Sequence, residues 1–133
     1  MSSPALLARA FPHFLRWTGV LTALAGVQFL VPTQFLARQG LAVGDATGLF
    51  YARHWGLLVA CLGLLLVWAA AQPALRRPVV IAAAVEKLAL VLMVITNWNE
   101  PALQGLHAVL LLDVPCVLVY AAWLVGKKPS IDR

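Results

Sequence analysis

Residues 78–96 read PVVIAAAVEKLALVLMVIT. The stretch is apolar almost throughout, yet Glu86 and Lys87 stand side by side in its middle. About 20 apolar residues suffice for a helix to cross a bilayer. A charge at bilayer depth costs about 2.5–3.5 kcal/mol on insertion scales. A chain that keeps two such charges there is expected to supply partners for them from its other segments.

The composition agrees with that reading. Of 133 residues, 62% are hydrophobic and 11% charged, with a mean hydropathy of +0.88. A soluble domain is about 45–50% apolar and about 25% charged. The length suits one small helical domain spanning 1–133, without a separate soluble domain. The net charge of +5 does not point to nucleic acid, because the basic residues sit at the ends of apolar segments, where membrane proteins carry them. Cys61 and Cys116 lie deep in apolar segments with no zinc-like spacing and read as small hydrophobes.

Working outward from 78–96, three further crossings are expected, at about 14–31, 48–71 and 103–125. The fold class is therefore all-α, a four-transmembrane-helix bundle running up-down-up-down. In the first segment Gly19, Ala23 and Gly26 form a small-residue face suited to close helix packing or to a homo-oligomer. A cleaved signal peptide is the rival reading there, since a basic stretch precedes the apolar run. The run continues to Val31, which favours a retained helix. Thr33–Asp45 reads as a connector with a short interfacial helix and a turn at its glycines, and Asp45 is placed to cap the second crossing. Residues 72–77, QPALRR, read as a polar turn. Arg9, Arg16, Arg76, Arg77, Lys127, Lys128 and Arg133 fall on one side of this topology, with Arg38 and Arg53 toward the other. That bias puts both termini in the cytoplasm, as in a bacterial inner-membrane protein.

Arg53, Glu86, Lys87 and Asp113 are the ionisable residues well inside the apolar segments, and their formal charges sum to zero. Lys87 precedes Asn97 by ten residues, and Asp113 follows Leu103 by ten. In antiparallel neighbouring helices the two share a depth and are expected to pair. Arg53, on a face with Gly56, Ala60 and Gly63, is expected to point inward and serve Glu86. Pro115 removes an N–H beside Asp113 and is expected to kink the last helix. The cluster reads either as bridges that fix helix register or as the wall of a polar cavity, with His54, Asn97 and His107 at its rim. No HExxH, phosphate loop or nucleophile elbow is present, no metal site is suggested, and no cofactor is indicated.

Four short helices, the G-x-Q-F-L-V-P run from Gly26 to Pro32, and Tyr51-Ala-Arg-His-Trp-Gly56 together resemble the DoxX-like family of small four-helix membrane proteins. The resemblance covers about 14–125 and implies an integral-membrane accessory protein. The Glu86-Lys87 pair and the lack of a CxxC depart from the better-described members, and no catalytic residue carries over. The architecture is also similar to sterol-isomerase-like membrane bundles. The expected role is a non-catalytic module that binds a small lipophilic ligand or a partner membrane protein. The alternatives are an enzyme doing acid–base chemistry on a lipid-soluble substrate, with Glu86 or Asp113 carrying the proton, and a proton-coupled transporter subunit.

Overall fold

The structure is a computed structural model describing residues 3–126, and every regular element among these residues is a helix. Helix α1 spans Ser3–Ala25 and passes into a 3₁₀ turn at Gly26–Phe29. Helices α2 (Pro32–Arg38), α3 (Ala46–Ala71) and α4 (Pro73–Thr96) follow. A 3₁₀ segment at Pro101–Val109 then leads into α5 (Leu110–Gly126).

Local chemistry explains most of the boundaries. Pro32 and Pro73 open α2 and α4 in the first turn, where a missing N–H costs nothing. Gly40, at φ +72°, stops α2 in a conformation that glycine adopts freely. Its N–H reaches the Ala37 carbonyl and the Leu41 N–H reaches Leu36, the paired bonds of a Schellman end. Asp45 caps α3 as expected, accepting from the Gly48 N–H at 2.6 Å. At the other end of α3, Arg76 folds back and donates to the carbonyls of Ala69 (3.0 Å) and Ala70 (2.8 Å). A cation at a helix C-terminus also meets the negative end of the helix dipole. The stretch 72–77 is therefore not a free polar turn: α4 already begins at Pro73 and keeps Pro78 inside it.

Among the described residues, three segments are long and apolar enough to cross a bilayer: Ala46–Ala71, Pro73–Thr96 and Pro101–Gly126. Leu57, Leu58, Leu64, Leu65, Val85, Leu92 and Leu118 stand exposed on them. An apolar exterior of this extent is what an integral membrane protein presents to lipid. Two expected crossings have a different form. The stretch 14–31 is not one continuous helix, because α1 starts far upstream and yields to the 3₁₀ turn at Gly26, with Pro32 starting a new helix. The stretch 103–125 is 3₁₀ up to Val109 and α-helical only beyond it. Lys127, Lys128 and Arg133 lie outside the described residues.

The core is built on a close α1–α3 contact. Gly19 and Gly26 of the first segment meet Gly56, Ala60 and Gly63 of α3. A Cβ on Gly19 would stand 2.8 Å from the Gly63 carbonyl oxygen, and one on Gly63 would collide with the backbone of Ala23. The face Gly19/Ala23/Gly26 is thus occupied by α3 of the same chain and is not a free surface for a second copy. Beside this seam, Gln28 is fully buried and donates to the Ala52 carbonyl at 2.7 Å. Between α1 and α5, Phe11 stacks on Trp123 with ring centroids 4.4 Å apart. Thr18 and Tyr120 share a hydrogen bond of 3.1 Å in the same layer.

Overpacking of a tight contact costs about 1–3 kcal/mol. Gly63→Val is accordingly expected to lower the thermal stability of the detergent-solubilised protein by an amount in that range. Gly44→Ala, where an added Cβ meets nothing within 4 Å, is expected to leave it unchanged.

Candidate functional site

The site starts from two helical stripes. On α4 the buried residues are Val80, Ala83, Lys87, Val91 and Val94, spaced by three and four. On α5 they are Asp113, Cys116, Tyr120 and Trp123, with the same spacing. These stripes face inward, so Lys87 and Asp113 enter the core on the same face as the aliphatic and aromatic packing residues. Their side chains are 5% and 4% exposed, and Lys87 Nζ donates to Asp113 Oδ1 at 2.6 Å. The expected pair is present, and it is the one ion pair among the described residues.

Beside it lies a partly enclosed cavity of about 320 Å³. Its wall draws on nearly every element: Thr22 from α1, Phe35 and Gln39 from α2, Trp55 and Val59 from α3, and Leu90 from α4. Gly105 and Ala108 of the 3₁₀ segment and Leu112 of α5 complete it, together with Glu86, Lys87 and Asp113. Gly105 is required where it stands, because a Cβ there would collide with the Gln39 carbonyl oxygen. Glu86 is one residue from Lys87, about 100° round the helix. It is half-buried, lines the cavity, and has no hydrogen bond or ion pair among the described residues.

The remaining expected residues fall elsewhere. Arg53 is exposed, is not on the cavity wall and does not bridge to Glu86. The inward face of α3 runs through Ala52, whose carbonyl receives Gln28, to Gly56 and Gly63. Arg53, a further 100° round from Ala52, is turned out. His54 is exposed as well. Asn97 is exposed and folds back onto its own helix, donating to the Met93 carbonyl at 2.9 Å. His107 stacks on Trp98 at 3.9 Å and 8°, with Nε2 buried and without a hydrogen-bond partner among the described residues, and does not line the cavity. Among the described residues no three His, Cys, Asp or Glu side chains gather as a metal site would need.

Sequence reasoning missed Thr22. It is 4% exposed, lines the cavity, and its Oγ1 has no hydrogen-bond partner among the described residues. The available signal was its position four residues after Thr18, on the inward face of α1. Trp55, near the start of α3, is a half-buried wall residue of the cavity. Phe35 and Gln39 come from the short α2, whose folding over the cavity has no periodic signature.

The arrangement offers a mainly apolar chamber with one neutralised ion pair, and with the Glu86 carboxylate and the Thr22 hydroxyl unpartnered among the described residues. Comparison with family models, curated proteins and solved structures finds no match.

Removing one partner of a buried pair leaves an uncompensated charge and costs about 3–5 kcal/mol, whereas replacing both by apolar residues can be neutral. Lys87→Met alone is expected to destabilise the protein by that order in thermal unfolding. Lys87→Met combined with Asp113→Leu is expected to recover most of the loss, giving a coupling that additive changes would not show.

Proposed function

We propose that the chain is a small integral-membrane binding module that holds a lipophilic molecule in the cavity beside Lys87 and Asp113. The observation that carries this reading is the cavity: about 320 Å³, walled mainly by apolar side chains, with a few polar groups converging on it. Small-molecule sites have this make-up, with volumes of about 300–1,000 Å³. Charged groups retained at membrane depth also tend to mark functional pathways. A second reading, acid–base chemistry on a lipid-soluble substrate, is favoured by the Glu86 carboxylate, which lines the cavity without a protein partner.

The same proposal takes the Phe14–Val31 region as a further crossing, formed by the apolar half of α1 and its 3₁₀ extension. Four crossings then leave both termini in the cytoplasm of a bacterial-type cell, the orientation favoured by the arginines at 9, 16, 76 and 77. A place in the DoxX-like family belongs to this reading too and rests on the Gly26–Pro32 and Tyr51–Gly56 motifs.

Native mass spectrometry of the purified protein tests the binding role. The expected outcome is a bound small molecule on the unaltered chain that is lost from Ala108→Trp, a variant that fills the cavity from its 3₁₀ wall. If both forms are equally ligand-free, the binding reading falls. For the topology, Cys61 and Cys116 are replaced by Ala and single cysteines are placed at Arg77 and Asn99. In intact cells an impermeant thiol reagent is expected to label position 99 and spare position 77. Equal labelling would overturn the four-crossing arrangement.

A further inference from the structure

We propose that the cavity selects an organic cation, a protonated amine carried on a small apolar body, with Glu86 as its counter-ion. The inference rests on the binding role above and names the class of ligand. The first observation is the charge count on the wall. In their ordinary ionised states Lys87 and Asp113 cancel each other at 2.6 Å. Glu86 lines the same cavity and has no such partner. Arg53, the other cation within the apolar segments, is exposed and outside the cavity. One negative charge is left over in a chamber walled mainly by apolar side chains.

The second observation is independent of charge. Thr22 Oγ1 of α1 is buried without a hydrogen-bond partner among the described residues, and Thr22 also lines the cavity. A hydroxyl oxygen accepts an N–H as readily as it donates. Among the charged groups on the wall, the one without an ion-pair partner is an acceptor, the Glu86 carboxylate, while the ammonium is engaged by Asp113; Thr22, Gln39 and Trp55 add neutral polar groups. Acceptors suit a ligand that donates, and an ammonium has donors only. Trp55 and Phe35 complete the fit, since aromatic rings attract organic cations. A carboxylate ligand would meet the reverse, with two acidic groups on the wall and a lysine that is not free.

The test compares three probes of one shape: phenethylammonium, phenethyl alcohol and hydrocinnamate. Each is titrated calorimetrically into the full chain in lipid nanodiscs, with empty discs subtracted. Phenethylammonium is expected to bind saturably, roughly tenfold or more tightly than the alcohol, the scale of one hydrogen bond to a charged group. Hydrocinnamate is expected to bind weakest. Glu86→Gln should abolish the preference for the amine over the alcohol, and Thr22→Val should weaken the amine severalfold while leaving the order of probes intact. The comparison on the unaltered protein stands even if a variant fails to fold. Equal binding of amine and alcohol, or tightest binding of hydrocinnamate, overturns the cation assignment while leaving a binding cavity. Saturable binding by none of the three overturns the assignment as well, and a co-purified ligand in the mass spectrum would then show that the binding role survives it.

Discussion

An ammonium and a carboxylate held 2.6 Å apart in an apolar interior constrain everything around them. Each charge alone is costly at that depth, and the pair is tolerable only when its geometry is kept. The register of α4 against α5 is therefore set at Lys87 and Asp113, and the apolar stripes of both helices extend from that level in both directions. Glu86 follows from the same registration. With Lys87 locked toward α5, the preceding residue has to face about 100° away, onto the cavity.

The second constraint is the near-contact of backbones between α1 and α3. Gly19, Gly26, Gly56 and Gly63 leave no room for side chains there, so the two helices meet along a seam with little space beside it. Such seams are characteristic of helices associating in lipid, where close packing replaces the hydrophobic effect as the cohesive force. The cavity adjoins this seam: Leu21, Thr22 and Ala25 of α1 and Trp55 and Val59 of α3, neighbours of the seam glycines, form part of its wall.

Much of this was readable from the residues. Helical class, the segments of α3 and α4, the Asp45 cap and the Lys87–Asp113 pair follow from hydropathy, capping chemistry and equal depth in antiparallel helices. Arg53 shares a three-residue step with Gly56, but the residue four before Gly56, Ala52, is the one that faces the 3₁₀ turn at Gly26–Phe29. The small-residue face of α1 was legible as a packing surface, but sequence spacing does not say whether the partner is another copy or another helix of the chain. Thr22, Phe35 and Gln39 converge only through the way α2 and the 3₁₀ segment lie against the long helices, and no periodicity records that.

The 3₁₀ segment at Pro101–Val109 is much longer than the three or four residues usual for this coil. Its repeat of three residues puts Ala102, Gly105 and Ala108 in a single file, where an α-helix would fan successive members of that series by about 60°. Gly105 and Ala108 consequently present one narrow, nearly side-chain-free strip to the chamber. The winding of the backbone, as much as the identity of its residues, thereby determines how much empty space the protein encloses. Rewinding the same sequence as α-helix would break up the strip and swing bulkier neighbours toward the space it keeps clear.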